Sequence, residues 1–266
     1  MMMKKKADII IFSGQSNMQG QAEGPSDHLP VDHAYEYKYL TDSLVPLADP
    51  AGEDITYEGG EGEQYQDYMG GNWHVKHVLG SAAYGYATLL PSFCRTYAGL
   101  TGRDVIAVSA AKGATTIDYW LPGTPAFRFV SEKLEGARRA SSEYEITGTY
   151  IVWLQGESDA IESTGREEYK QKLAEFGHAL RDTLGVERFG VIRCGYFTGD
   201  ARDLQIIGAQ DDICREDPFF LMLTEEITTL NGMPEYINPF AAGHLNTLGL
   251  DKVGHDSAVT LAEAAK

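Results

Sequence analysis

The chain has 266 residues, of which 43% are hydrophobic, and this is enough to build the core of one domain. Its 39 acidic and 22 basic residues give a net charge of −17, which would repel both nucleic acid and an anionic membrane surface. We therefore exclude these two classes of partner and expect a single domain over residues 1–266.

The sequence indicates a reducing cytoplasm. The apolar run Ile9–Phe12 follows three lysines, but Asp8 and Gly14 bound it well short of the roughly 7–15 residues of a secretory signal. No stretch reaches the roughly 18 apolar residues of a membrane helix. The cysteines are odd in number and lack the spacing of a metal site: Cys94, Cys194 and Cys214.

Apolar runs alternate with helical patterns along the chain. The runs at 8–13, 104–109, 150–154, 189–194 and 219–223 are typical of short strands buried on both faces. Helical periodicity marks 80–97, where Pro91 predicts a kink or break, then 127–142, and the tail from Thr247 onward. The clearest helix ends at Gly185 and has one apolar face: Tyr169, Leu173, Phe176, Leu180 and Leu184. This alternation predicts an α/β fold of three layers, with a central parallel sheet of about five strands between helices.

One segment interrupts the alternation, a polar loop predicted over residues 25–79. Between Lys38 and Lys76 it contains no basic residue, while acidic residues, glycines and tyrosines are frequent. The segment is either a solvated surface excursion or a lid over the active site, since long loops in compact domains are often functional. The sequence leaves both interpretations open.

The turn after the first strand contains a candidate nucleophile. Ligands of open parallel sheets bind at the carboxyl ends of the strands, so residues directly after each strand are the candidates for chemistry. Ser16 lies there in a glycine-flanked turn, where its hydroxyl is exposed and its own N–H can point at an incoming carbonyl. We expect Asn17, beside it, to contact the substrate. A phosphate-binding loop at a helix N-terminus is the alternative, although the Walker spacing is absent.

Two further turns follow the second and third strands. Gly113 allows close backbone approach, so its N–H is a candidate second oxyanion donor, or it is an ordinary turn glycine. Trp120 is a candidate wall for an acyl or sugar pocket, with core packing as the alternative. The amide of Gln155 suits a third oxyanion donor and Glu157 suits a catalytic acid, whereas Asp159 fits a helix cap.

His244 is the candidate general base. Of the seven histidines, it alone lies on a predicted loop at the end of the sheet with a helix directly behind it. Paired with an exposed serine from the other end of the sequence, such a histidine can accept the hydroxyl proton.

Taken together, these segments resemble the conserved blocks of the SGNH hydrolase superfamily. The blocks are GQSNM at 14–18, AKGATTIDYW at 111–120, WLQGESD at 153–159 and HLNTLGLDKVG at 244–254. The nearest branch is the carbohydrate esterases that include acetylxylan esterases and sialic-acid O-acetylesterases. The resemblance implies a flavodoxin-like fold, with Ser16 as nucleophile and His244 as base. It also implies an oxyanion hole made by the N–H groups of Ser16 and Gly113 and by Gln155.

The implied activity is hydrolysis of acetyl or other short acyl esters on a small sugar or oligosaccharide, through an acyl-enzyme. Nothing in the sequence requires a metal or an organic cofactor. The family often has Asp three residues before the histidine, where this chain has Ala241. We therefore expect Glu157 to orient His244, with Asp159 as the second choice. Two alternatives stay open: a lipase or thioesterase-type hydrolase of the same fold, and an inactive carbohydrate-binding protein.

Overall fold

A seven-stranded sheet forms the centre of this computed structural model, which describes residues 4–22, 24, 29–53, 87–241 and 243–266. The strands run in the spatial order β3-β2-β4-β1-β5-β6-β7. All neighbours are parallel except β2 and β3, which form an antiparallel pair at one edge. The strands are β1 (Lys5–Gly14), β2 (Ala34–Lys38), β3 (Ser43–Pro46), β4 (Asp104–Ala111), β5 (Tyr144–Leu154), β6 (Arg188–Ile192) and β7 (Phe220–Thr224).

Helices cover both faces of the sheet. They are α1 (Ser16–Gln19), α2 (Leu90–Thr101), α3 (Pro125–Ala140), α4 (Glu157–Ile161), α5 (Arg166–Leu184), α6 (Ala201–Glu216), α7 (Ile227–Leu230) and α8 (Thr247–Ala264). Helices α3, α5 and α6 share one apolar core with the sheet, and α2, α7 and α8 share another on the opposite face. The three-layer α/β/α prediction is therefore confirmed.

The five predicted strands are all present, but the count of about five is too low. The missing pair, β2 and β3, lies inside the segment predicted as a polar loop, of which residues 25–28 and 54–79 lie outside the described residues. Strand β2 contains the charged pair Glu36 and Lys38, whose side chains meet at 2.7 Å. Glu36 is 2% exposed and also accepts a hydrogen bond from the N–H of Gly52. A buried carboxylate is tolerated there because it is paired and hydrogen-bonded.

The helices predicted from periodicity are present, with one difference in α2. Residues 87–89 are not helical and the helix begins at Leu90, so Pro91 occupies the first turn, where its missing N–H costs nothing. The kink or break predicted at Pro91 therefore coincides with the start of the helix, and residues 80–86 lie outside the described ones. Gly185 ends α5 with a φ of 66°, the left-handed cap that the sequence predicts. Helix α6 was absent from the prediction.

A glycine in α8 allows this helix to pack close to α2. A Cβ on Gly254 would lie 2.6 Å from the carbonyl oxygen of Leu89, so only glycine allows this approach of the two helices. Among the described residues, no helix is long and apolar enough to cross a membrane.

Candidate active site

Ser16 and His244 meet at the carboxyl edge of the sheet. Ser16 is the first residue of α1, directly after β1, and its Oγ lies 2.8 Å from Nε2 of His244. Gly14 has a φ of 139°, and a Cβ on it would lie 2.0 Å from the carbonyl oxygen of Leu154. The chain can therefore turn into α1 directly against the end of β5 only with glycine at this position. A histidine hydrogen-bonded to a serine in this way can act as its general base.

The loop before α8 holds His244 from both sides. Its N–H donates to Ala241 and its carbonyl accepts from the N–H of Asn238. Gly243 has a φ of 79°, and a Cβ built on it would lie 2.4 Å from the ring of Phe197. That ring also meets the imidazole edge to face, with 5.9 Å between the centroids. Phe197 therefore packs against both the loop backbone and the imidazole.

Ser16 and His244 line a cavity of about 380 Å³. Its polar lining includes Gln15, Ser16 and His244, and Phe197 and Ile161 contribute apolar surface. A larger surface groove of about 510 Å³ lies at the start of α3, but its lining contains neither the serine nor the histidine. The smaller cavity is therefore the one in which the serine–histidine pair can meet a ligand.

The two expected oxyanion donors outside α1 differ in their surroundings. Gly113 lines the cavity, and a Cβ built on it would lie 3.5 Å from Cβ of Ser16. Its N–H donates to Oε1 of Gln19 at 2.8 Å, so this donor is already occupied by an oxygen. A substrate oxygen that replaced the Gln19 oxygen would receive the same hydrogen bond.

Gln155 is turned away from the cavity. It is fully buried, and its Nε2 donates to the carbonyl of Thr115 at 2.8 Å and to Oδ2 of Asp159. Its Oε1 accepts from the hydroxyl of Tyr169 at 2.8 Å. Both N–H bonds of the amide are therefore used within the core, and in this arrangement Gln155 offers no donor to a substrate. Burial raises the pKa of Asp159 to about 6, against the hydrogen bonds that it accepts from Gln155, the N–H of Ile117 and Thr164.

Glu157 is 2% exposed and contacts Asn17, the residue after Ser16. Its Oε1 accepts from Nδ2 of Asn17 at 2.9 Å, and Oδ1 of Asn17 accepts from the N–H of Leu245, the residue after His244. Burial raises the pKa of Glu157, while the Asn17 hydrogen bond and the nearby His244 act in the opposite direction. Glu157 is therefore connected to the histidine loop through Asn17.

Two residues expected at the substrate do not line the cavity. Asn17 is 3% exposed, and both ends of its side chain are used in the link just described. Trp120 is 2% exposed and packs edge to face on Trp153, while its Nε1 donates to the hydroxyl of Thr115. Trp120 therefore packs in the core of this structure.

Phe197 and Gln15 line the cavity although the sequence did not single them out. Phe197 lies in the loop after β6, at the same sheet edge, but no motif surrounds it. Gln15 stands inside the GQSNM block, directly before Ser16, and that position was the available signal.

A known protein family and a known relative resemble this chain over most of its length. A family profile described as SASA, carbohydrate esterase, sialic acid-specific acetylesterase, matches residues 6–258. A relative from Arabidopsis thaliana, described as a probable carbohydrate esterase, is 22% identical over 194 residues, covering 72% of this chain and 69% of its own.

Solved structures show the same fold. An Arabidopsis thaliana protein superposes with a TM-score of 0.64 at 18% identity, covering 98% of both chains. NanS gives a TM-score of 0.64 at 12% identity, covering 100% of this chain and 98% of its own. A carbohydrate acetylesterase from Xanthomonas citri gives 0.59 at 17% identity, covering 97% of this chain and 56% of its own. The chain belongs to the sialic acid-specific acetylesterase family of carbohydrate esterases, and it is a carboxylic ester hydrolase.

Proposed function

We propose that this protein is a serine esterase that removes acetyl groups from an O-acetylated sugar or oligosaccharide through an acyl-enzyme. The observation that carries the proposal is the 2.8 Å contact between Oγ of Ser16 and Nε2 of His244 at the cavity. Family membership supports the acetyl ester as the substrate class. The apolar side chains of Phe197 and Ile161 in the lining support an acyl group as a part of the substrate that the cavity binds.

In the first half of the reaction, His244 Nε2 accepts the proton of Ser16 as Oγ attacks the acetyl carbonyl carbon. The negative charge that develops on the carbonyl oxygen is stabilised by backbone N–H groups of Ser16 and Gly113. The N–H of Ser16 is available because the first N–H groups of a helix have no partner within it. His244 then returns the proton to the sugar oxygen, and the C–O bond to the sugar breaks.

In the second half, His244 takes a proton from water, and the hydroxide oxygen attacks the acetyl-Ser16 carbonyl. Acetate leaves, and the proton returns to Ser16. Glu157 supports the imidazolium formed in both halves, acting as a buried carboxylate linked through Asn17 to the loop of His244. A lone backbone carbonyl would give the imidazolium less electrostatic support than a nearby carboxylate.

The proposal is tested by acetate release from a panel of O-acetylated sugars, comparing the wild type with Ser16→Ala. We expect the variant to lose several orders of magnitude in kcat, because the nucleophile is gone. Brief reaction with an aryl acetate followed by acid quenching should place one acetyl group on the peptide that contains Ser16. A purified Ser16→Ala protein with near-normal turnover would overturn the assignment of the nucleophile. A wild type that releases acetate from no sugar would overturn the substrate class.

A further inference from the structure

Gln15 has a side chain that is fixed at one end and unpartnered at the other. It is 3% exposed, and its backbone N–H donates to the carbonyl of Leu154 at 2.9 Å. Its Oε1 accepts from the N–H of Gly156 at 3.3 Å and from the N–H of Ser158 at 3.2 Å. Two N–H donors identify that atom as the oxygen, so the remaining atom of the amide is the nitrogen.

The nitrogen of this amide finds no acceptor among the residues that the structure describes, in contrast to Oε1. Gln15 lines the cavity that contains Ser16 and His244. The nitrogen is not among the described side-chain atoms that are both fully buried and without a partner, so it is accessible from the cavity. A ligand oxygen in the cavity would supply the missing acceptor.

Gln155, by contrast, has no N–H left to offer. Its nitrogen donates to Thr115 and Asp159, and its oxygen is held by Tyr169. Releasing that amide toward the cavity would break three hydrogen bonds in a fully buried site. If the third donor to the substrate is a side-chain N–H group, Gln15 can therefore supply it more easily than Gln155.

We infer that Gln15, and not Gln155, is the third oxyanion donor of the site, with its Nε2 hydrogen bonding the acyl oxygen as negative charge develops there. The inference rests on the proposed ester hydrolysis at Ser16. The bonds to Gly156 and Ser158 hold the amide before substrate arrives, and donors fixed in advance need no reorganisation during the reaction.

The test uses two substitutions of the same residue. Gln15→Glu keeps an oxygen for the N–H groups of Gly156 and Ser158 but removes the donor and adds a charge. Gln15→Met removes both the donor and the brace without adding a charge. Gln21→Glu is the charge control, because Gln21 lines the same cavity and the substitution adds the same charge there. For each variant we would measure kcat and KM on an aryl acetate and the melting temperature.

We expect both Gln15 variants to lose about 10²–10³-fold in kcat with little change in KM, as loss of one oxyanion donor does. Only Gln15→Met should melt at a lower temperature. If Gln15→Met does not fold, a loss of kcat in Gln15→Glu at least tenfold beyond that of Gln21→Glu carries the same conclusion.

Three results would overturn the inference. They are near-normal kcat in both Gln15 variants, a loss in Gln15→Glu no larger than in Gln21→Glu, and a change confined to KM. Each of these results counts only if the wild type is active and Ser16→Ala abolishes that activity. Failure of the inference is thereby distinguished from failure of the proposed function, in which the wild type itself would be inactive.

Discussion

The contact between Gly243 and Phe197 offers a sharp test of how the loop positions His244. In Gly243→Ala the added Cβ would lie 2.4, 2.6 and 3.2 Å from three ring atoms of Phe197. Ordinary contact begins at 3.4 Å, so ring or loop must move by about 1 Å. The φ of 79° adds the cost of a left-handed alanine, about 1–2 kcal/mol.

A shift of this size in the residue before His244 should reach the imidazole, whose Nε2 is only 2.8 Å from Oγ of Ser16. Misplacement of a reacting group by about 1 Å can lower the rate about 10²-fold. We therefore expect Gly243→Ala to lose about 100-fold in kcat on an aryl acetate, together with about 1–2 kcal/mol of unfolding free energy.

Gly102→Ala is the matched control. Gly102 has a φ of 67° after α2, and nothing lies within 4 Å of a Cβ built on it. It should lose a similar unfolding free energy, measured by urea titration, and keep its kcat. In a double-mutant cycle, Phe197→Ala should restore part of the activity of Gly243→Ala, because the steric overlap is gone. The reasoning would be refuted if Gly243→Ala lost the same unfolding free energy as Gly102→Ala and, like it, kept its kcat.

Three further outcomes are expected. Glu157→Gln should lower kcat by about 10²-fold or more with little change in KM, since the imidazolium loses its carboxylate; unchanged turnover in a stable variant would remove Glu157 from the mechanism. Burial raises the pKa of Asp49 to about 7 against the hydrogen bonds from Thr88, so wild-type stability should fall as pH rises from about 4 to 7, by up to about 4 kcal/mol. In urea titrations at pH 5 and 8, the unfolding free energy of Asp49→Asn should not show this fall. The prediction is contradicted if the wild type and Asp49→Asn differ in unfolding free energy by the same amount at both pH values. Aryl ester rates should fall steeply beyond butyrate, and Phe197→Ala should shift the optimum to longer acyl groups; a wild-type maximum at octanoate would favour a lipase-type hydrolase.

The strands buried on both faces were predictable because they contain almost nothing but apolar residues. The run at Ile9–Phe12 is fully buried in the centre of β1, as its composition predicts. Strand β2 was missed because its sequence Ala-Tyr-Glu-Tyr-Lys resembles a surface segment. Burial of Glu36 is tolerated because the side chain contacts Lys38 and the N–H of Gly52, and no local sequence pattern predicts these partners.

The serine and the histidine were predictable because sheet topology decides which residues meet. Ser16 follows β1 and His244 comes after β7, and parallel strands bring both positions to one edge. The direction in which a side chain points could not be predicted in the same way. Gln155 also follows a strand, but Tyr169 and Asp159 draw its amide into the core. Asp159 lies only four residues further on, in α4, and Tyr169 lies in α5, but no sequence pattern shows that both side chains contact the amide.

The order in which the chain is synthesised gives the sheet topology a consequence for folding. Every strand of the sheet, up to Thr224 at the end of β7, is synthesised before His244 and emerges from the ribosome before it. A nascent chain can thus assemble the whole sheet around Ser16 before His244 is in place beside it. Turnover would begin only when α8 docks on α2 and brings the histidine loop to the serine. Appearance of activity during translation would therefore report the docking of this last helix, after the sheet has formed.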